Sequence, residues 1–307
     1  MLKITEPGIY PGVASSDYFA DPCIEPSLTQ SVAKILLDQS PLHAWHAHPR
    51  LNPDYQHDDD KKFDIGNIAH ALLIGRGKDI VVLEFDDWRT KAAKEARDTA
   101  ASAGKLGVLG KHYSKAERMV KAAREQLELR GLGNLFREGN GEVVTAWQEG
   151  DIWLRQMIDW LTPDRLIFAD YKTTDMSVAP HNLGRQMATA SWHIQAAMGD
   201  RGLAALSRAE KHRRFLFVVQ ETDAPYCLNV VEIGRDPLVL GHKMLDNAVE
   251  TWRRCMKADR WPGYPAEIIS PEFPGWAEQQ WLAREIHEAA QDRIPQHGRH
   301  ADNLLAG

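Results

Sequence analysis

Residues 155–172, RQMIDWLTPDRLIFADYK, decide how the centre of this chain folds. Two short apolar runs flank the turn-forming sequence TPD, a pattern that predicts a β-hairpin. Because side chains alternate between the two faces of a strand, Arg155 shares a face with Asp159. On the returning strand, Asp170 shares a face with Lys172. If those faces coincide, two carboxylates and an ammonium group converge in one small volume.

Two neighbouring carboxylates and a lysine indicate a particular chemistry. Paired carboxylates hold a hard divalent cation such as Mg²⁺, which keeps coordination positions open for water and phosphate oxygens. A nearby ammonium group positions the attacking water and offsets developing negative charge. These are the parts of a metal-dependent phosphodiesterase. On the hairpin alone an alternative stays open, because an alternating strand that ends in polar residues is also ordinary for a half-solvated sheet.

Composition and charge narrow the class of protein. The 307 residues suffice for one large domain or two small ones. The net charge of −6 argues against a protein coated in positive charge for non-specific DNA binding, but it leaves room for a local basic groove. No apolar run has the length that a bilayer requires, and the N-terminus lacks a signal-peptide core. We therefore expect a cytoplasmic protein without a membrane partner.

Histidine and cysteine are weaker signals in this chain. His43, His46 and His48 form a cluster, but no carboxylate or thiolate lies within it, so we expect packing and surface roles. The cysteines are far apart in sequence and form no CxxC pair. We expect them to be idle thiols in a reducing cytoplasm. They are Cys23, Cys227 and Cys255.

The pattern of the whole chain predicts three parts. Residues 1–26 are an irregular lead-in rich in Pro, Gly, Ser and Asp, residues 27–280 form a single domain, and residues 281–307 form a polar tail. Within the domain, residues 89–129 are helical and basic. Their cations are candidates for a DNA phosphate path, although Glu95 and Asp98 also fit a solvated helix face. The candidates are Arg89, Lys91, Lys94, Arg97 and Lys105.

Several separate stretches, taken in order, match one family. They are GIYPGVASSDYF, SLTQSVAKILLDQSPLHAW, GNIAHALL, RTKAAKEA, DYKTT, WHIQAAM, FLFVVQETDAPYCLNVVEI and WPGYP. Together they resemble the RecE-type exonuclease VIII group of the PD-(D/E)XK nuclease superfamily, which phages and prophages carry. The resemblance covers about residues 6–278. Single motifs are weak, whereas their common order and spacing are specific.

The resemblance implies a fold and an activity. The fold is a mixed α/β restriction-endonuclease-like core, with a central mixed sheet flanked by helices. The activity is Mg²⁺-dependent digestion of linear double-stranded DNA from its ends, 5′ to 3′, in phage-type recombination, with Mn²⁺ as a substitute ion. A ring-shaped homo-oligomer, a single-strand annealing partner protein and a bacterial host cytoplasm are also implied.

The same resemblance implies a set of metal ligands. They are the side chains of His70, Glu142, Asp159 and Asp170, with the backbone carbonyl of Tyr171 as a further ligand. Neutral imidazole and carboxylate are both ordinary ligands of divalent ions.

Lys172, Gln195 and Arg155 complete the expected site, and Gly199 departs from it. Lys172 would activate water or stabilise the transition state, and Gln195 would position the substrate or the lysine. Gly199 departs from the related QxxxY pattern, which has a tyrosine four residues after the glutamine. Arg155 could clamp a phosphate bidentately or form a structural ion pair with one of the site carboxylates.

Two rival functions stay open: an endonuclease or nickase on the same fold, and a non-catalytic DNA-binding phage protein.

Overall fold

The computed structural model describes residues 2–56, 65–77, 79–207 and 212–292. The chain divides into two compact units, Met1–Tyr264 and Pro265–Gly307. The predicted domain boundaries at 26 and 280 stay a prediction. The polar composition of the tail predicts a frayed end, and residues 293–307 lie outside the described residues. The sequence PDYQHDDDKK, residues 53–62, predicts a charged linker, and its greater part also lies outside them.

The predicted hairpin is present. It consists of β6 (Ile152–Leu161) and β7 (Ile167–Thr174), which run antiparallel. The turn is held by its own polar side chains: Thr162 Oγ1 accepts from the Ile167 N–H at 3.1 Å, and Asp164 Oδ1 accepts from the Leu166 N–H at 3.0 Å. Short polar side chains that bond nearby backbone groups are the usual reason for a turn at such a sequence.

The hairpin lies in the middle of a seven-stranded sheet of order β1-β5-β6-β7-β8-β9, with β2 beside β6. β7 and β8 are parallel, as are β2 and β6, and the other neighbours are antiparallel. The mixed sheet confirms the predicted fold class. The remaining strands of this sheet are β1 (Gly8–Tyr10), β2 (Ser27–Leu28), β5 (Asn140–Glu149), β8 (Arg214–Glu221) and β9 (Leu228–Glu232). A separate parallel pair comprises β3 (Ile80–Leu83) and β4 (Leu106–Leu109).

Helices cover both faces of the sheet. Alternate residues of β8 show the two layers: Leu216 and Val218 pack with residues 65–74 and 110–128, whereas Phe215 and Phe217 pack with residues 180–189 and 192–205. The helices of the first unit are α1 (Ser15–Phe19), α2 (Gln30–Asp38), α3 (Pro41–His46), α4 (Ile65–Ile74), α5 (Lys91–Ser102), α6 (Gly110–Glu128), α7 (Pro180–Thr189), α8 (Trp192–Ala205) and α9 (Arg235–Ala258).

Three local predictions need correction. The possible caps Ser27 and Thr29 before an apolar stripe predict a helix from Ser27. The helix begins at Gln30 instead, because β2 comes first and Thr29 Oγ1 caps the helix by accepting from the Val32 N–H. In the segment 89–129, Gly104, Gly107 and Gly110 predict a break between two helices, and α5 and α6 confirm it, but the break contains β4, whose short LGVL sequence pairs with β3. The lead-in 1–26 includes β1 and α1, which are too short for periodicity to reveal.

The second unit contains α10 (Gly275–Asp292). Its helical pattern begins before the predicted tail and continues into it. Across the described ranges, no helix combines the length and the apolar character that crossing a bilayer requires.

Candidate active site

Two carboxylates lie where β6 and β7 separate. Next to the turn, β6 and β7 pair at Leu161↔Phe168 and at Trp160↔Ala169, and the pairing ends there. Asp159 and Asp170 are the next residues on the two strands. Asp170 is 5% exposed, whereas the Asp159 side chain keeps 22% of its surface exposed. The hairpin therefore brings one buried and one accessible carboxylate to the same opening in the sheet.

A third carboxylate comes from β5. Glu142 has a φ of 51°, in the left-handed region that residues other than glycine seldom adopt. β5 and β6 pair at Gly141↔Trp160 and next at Val143↔Ile158. Glu142 and Asp159 are therefore left out of the pairing. The negative charge of Glu142 also raises the pKa of His70, so the two groups are electrostatically coupled. Strained backbone of this kind concentrates at functional sites.

Asp170 is bound on both oxygens. Lys172 Nζ lies 2.7 Å from Oδ1, and the Gln195 side-chain amide donates to Oδ2. Burial and the nearby charge of Asp159 raise the pKa of Asp170 above its ordinary value, against the opposing effects of Lys172 and Gln195. The Lys172 ammonium also lies 5.3 Å from the ring centroid of Phe217. The Asp170 carboxylate and the Lys172 ammonium on β7 are therefore held in place by each other, by Gln195 on α8 and by Phe217 on β8.

Asp159 contacts α4 and the neighbouring strand. His70 Nε2 lies 3.1 Å from Asp159 Oδ2, and the Tyr171 N–H donates to the same oxygen at 3.3 Å. Burial lowers the pKa of His70, but the hydrogen bond with Asp159 and the charges of Asp159, Asp170 and Glu142 outweigh it, so the pKa is raised. The structure therefore groups the residues that the resemblance implied as metal ligands, while their roles stay predictions.

The donor types at this site fit a hard divalent ion, although they are not assembled around one. Within the described ranges, no group of three or more His, Cys, Asp or Glu side chains is disposed to hold a metal ion. Lys172 and Gln195 occupy the oxygens of Asp170, and His70 occupies one oxygen of Asp159. Burial raises the pKa of Asp170, and the negative charge of Asp159 raises it further, because the two carboxylates repel each other. A divalent cation bound by both would relieve that repulsion.

Arg155 lies elsewhere, in a buried polar cluster. It is 3% exposed, and its guanidinium lies 2.9 Å from Asp21 Oδ1 and donates to the Ser27 carbonyl at 3.0 Å. His48 completes the cluster with Nε2 3.3 Å from Asp21 Oδ2. The ion pair expected with a site carboxylate is formed with Asp21 instead. This placement does not support a phosphate clamp, because the long alternating strand carries Arg155 away from the opening.

The basic residues predicted to bind DNA lie on or beside α5. Arg89 and Lys91 are each 91% exposed in their side chains. Lys91 also pairs with Glu95 at 3.6 Å, and Lys94 and Lys105 are exposed. Nothing in these contacts separates a DNA path from a solvated helix face. Their assignment stays a prediction.

The packing around Gly199 explains why this position cannot hold the tyrosine of the related QxxxY pattern. A Cβ atom at Gly199 would meet Phe168 Cε2 at 2.4 Å and Gln156 Oε1 at 3.1 Å. α8 therefore packs its backbone directly against β7, and the Phe168 ring fills the space. Gln156 and Lys34 also border this region, and no local pattern in the sequence marks either residue. Only the long-range packing of α2 and α8 identifies them.

Comparison with known proteins supports the fold. A crystal structure from Eubacterium rectale, described as a "Putative exonuclease", superposes with a TM-score of 0.56 at 8% sequence identity. The match covers 85% of this chain and 96% of that chain. At this identity the likeness concerns the fold. No curated protein matches the sequence.

A family model extends this result to the sequence itself. It describes a PDDEXK-like domain of unknown function (DUF3799) and matches residues 34–270. The matched range contains the three site carboxylates, His70, Lys172 and Gln195. The chain belongs to this family of PDDEXK-like domains, within the PD-(D/E)XK superfamily.

Proposed function

We propose that this protein is a metal-dependent exodeoxyribonuclease that digests linear double-stranded DNA, 5′ to 3′. The observation that carries the proposal is the meeting of Asp159, Asp170 and Lys172 at the opening between β6 and β7. Lys172 Nζ lies 2.7 Å from Asp170 Oδ1 at this point. The family's fold and the likeness to the Eubacterium rectale protein support a nuclease.

The proposed metal is Mg²⁺, with Mn²⁺ as a substitute. Asp159, Asp170 and Glu142 would hold it, with His70 and the Tyr171 carbonyl as further ligands. When bound, such an ion supplies an activated water and neutralises charge on the phosphoryl oxygens. This chain's own residues prepare the site: Gln195 and Lys172 orient the Asp170 carboxylate, and His70 orients Asp159.

Lys172 has a second part in the proposed reaction. Its ammonium is held by Asp170 and the face of Phe217, so it is preorganised in a half-buried position. A fixed positive charge beside the reacting phosphate stabilises the negative charge that develops during attack. Burial strengthens this effect, because water screens the charge less.

The broader biological setting is also a proposal. The motif resemblance favours a phage or prophage enzyme in the cytoplasm of a bacterial host. It further favours a ring-shaped oligomer that works with a single-strand annealing protein in recombination. The ring would enclose duplex DNA and concentrate phosphate contacts from several subunits.

End-labelled DNA tests the activity. Linear duplex labelled separately at the 5′ and 3′ ends is incubated with the protein and Mg²⁺, beside covalently closed circles. We expect early release of the 5′ label as mononucleotides and intact circles. Cleavage of the circles would support an endonuclease or nickase instead. No cleavage of any DNA in either Mg²⁺ or Mn²⁺ would support a non-catalytic DNA-binding protein.

A further inference from the structure

We propose that Lys34 binds a second phosphate of the DNA strand, adjacent to the phosphate that is cleaved beside Lys172. This inference rests on the proposed nuclease function and narrows its substrate. The preferred substrate would be a strand with at least two consecutive phosphates, not an isolated phosphodiester.

The position of Lys34 follows from how α2 docks on the start of α8. Lys34 Nζ donates to the Ala190 carbonyl at 2.7 Å, at the junction between α7 and α8. Gln30 lies four residues earlier on the same face of α2. Gln30 Oε1 accepts from Gln156 Nε2 at 3.2 Å, and the same amide also donates to the Gln195 carbonyl at 3.2 Å. This face of α2 therefore lies against the part of α8 that carries Gln195.

The same part of α8 reaches the proposed catalytic residues. The Gln195 side chain binds Asp170, and Asp170 binds Lys172. Electrostatics agree with this placement: burial and the charge of Lys172 lower the pKa of Lys34, and the charges of Asp170 and Asp38 act in the opposite direction without cancelling that effect. The ammonium groups of Lys34 and Lys172 thus face a common region, opposite the side that α4 and His70 occupy.

Two neighbouring ammonium groups are a costly arrangement in a folded protein. Lys172 is compensated by a carboxylate, whereas the hydrogen-bond acceptor of Lys34 is a neutral carbonyl. Groups perturbed by burial and by a like charge concentrate at functional sites. A polyanionic strand is the ligand that would offset both charges at once, because its phosphates are consecutive along the backbone.

A purely structural role gives different expectations. A lysine beside the last carbonyls of α7 can stabilise that helix end, as cations commonly do. Loss of such a contact would lower stability and would reduce the rate on every substrate equally. Loss of a phosphate contact would instead depend on the length of the substrate and on salt.

The experiment compares two substrates and four proteins. The substrates are a linear duplex and the p-nitrophenyl ester of thymidine 5′-monophosphate, which contains a single phosphodiester. The proteins are the wild type, Lys34→Gln, Lys34→Arg and a control, Lys257→Gln. Glutamine keeps an N–H for Ala190, and Lys257 is an exposed residue in the last turn of α9. The positive charge of Lys257 helps to lower the pKa of Asp151, which directly precedes β6. Asp151 is thus at the far end of this strand from Asp159.

We expect Lys34→Gln to lower kcat/KM on duplex about tenfold more than on the single phosphodiester, as for loss of one charged hydrogen bond. Lys34→Arg should restore most of the duplex activity, and Lys257→Gln should match the wild type. Equal losses on both substrates, or no rescue by arginine at a normal melting temperature, would overturn the proposal.

Binding to duplex in EDTA separates this proposal from the nuclease function. The log–log salt slope of Lys34→Gln should be smaller by about 0.9, as for one lost phosphate contact. If the wild type cleaves neither substrate, the proposed nuclease function fails, and the salt slope alone decides whether Lys34 contacts DNA. An unchanged slope would contradict that contact.

Discussion

Asp170 shows how much of the proposed chemistry depends on one side chain. It is almost fully buried beside Asp159, and a carboxylate in such a place tends to take up a proton. Lys172 and Gln195 counteract that tendency by binding both of its oxygens. Nuclease chemistry needs the ionised form, because only the carboxylate is a good ligand of a hard cation. In the proposed function, Lys172 and Gln195 would therefore keep Asp170 in the form that can bind the metal ion.

His70 gives a pH-dependent prediction. Its pKa is raised above the ordinary 6.5, so protonated His70 stabilises the fold below that pH, and the contribution is lost as pH rises through the folded-state pKa. His70→Gln should therefore lower the free energy of unfolding more at about pH 5.5 than at about pH 8.5, the range that spans histidine titration. Denaturant titrations in EDTA at both pH values measure this difference.

His112 serves as the matched control for that measurement. Burial and the charges of Lys111 and Lys115 lower its pKa, which is the opposite direction. The folded protein favours neutral His112, so protonation of His112 at low pH lowers the free energy of unfolding. His112→Gln should remove this destabilisation, which is present only at low pH. A His70→Gln effect that did not change with pH, or that grew as pH rose, would show that the pairing with Asp159 is not formed in solution.

The contact between α8 and β7 gives a prediction about packing. A Cβ at Gly199 would lie 2.4 Å from Phe168, so Gly199→Ala must push the helix and strand apart. We expect a loss of about 1–3 kcal/mol in the free energy of unfolding, as for other overpacked cores. The nuclease rate should fall as well, because the shift moves Gln195 on the same helix. Chemical denaturation and the duplex assay measure the two effects.

Gly184 on α7 is the control for this substitution. A Cβ there meets nothing within 4 Å, and the position lies inside the helix. Gly184→Ala should therefore stabilise the protein by up to about 1 kcal/mol through helix propensity. If Gly199→Ala proved as harmless as Gly184→Ala, the close approach of α8 to β7 would be wrong.

Local sequence predicted the elements well where the signal is local. The β6–β7 hairpin follows from a TPD turn between apolar runs, and the placing of Asp170 beside Lys172 follows from strand alternation. The helix around GNIAHALL was also predictable from its apolar residues. Asp159 also lies near Asp170, but at a position that the β5–β6 and β6–β7 pairings both leave out, which strand alternation does not predict.

What the sequence could not reveal depends on contacts between distant segments. The strands separate after Trp160, which opens the site, and nothing in the local pattern marks that point. The left-handed backbone of Glu142 has no sequence signal, because glutamate rarely adopts it. Lys34 reaches this region only through the docking of α2 on the start of α8. The burial of Arg155 likewise depends on Asp21, far away in the chain.

The charge of the protein as a whole requires a local route for DNA. A net charge of −6 opposes long-range attraction to duplex, so binding must come from a limited basic surface. The exposed cations of α5 are our candidates. Replacing both Lys91 and Lys94 by alanine should reduce the log–log salt slope of duplex binding by up to about 1.8, or 0.9 for each lost phosphate contact.

Fluorescence anisotropy with labelled duplex at several salt concentrations measures that slope. Lys121→Ala is a suitable control, since Lys121 is 79% exposed and lies on α6 beside Glu125. An unchanged slope in the double variant would show that α5 is only a solvated face. If several subunits surround one duplex, the defect should also be larger on long DNA than on short oligonucleotides.

The decisive measurement is hydrolysis of linear duplex by Asp170→Asn in Mg²⁺. Asparagine keeps the shape of the side chain but removes the charge that binds Lys172 and that, in the proposed site, would bind a hard cation. We predict that the wild type digests the duplex, that EDTA stops it, and that Asp170→Asn is slower by about a thousandfold or more with unchanged circular dichroism. Asp246→Asn, at an exposed carboxylate on α9, should keep wild-type activity. Near wild-type hydrolysis by Asp170→Asn would contradict the assignment of the active site.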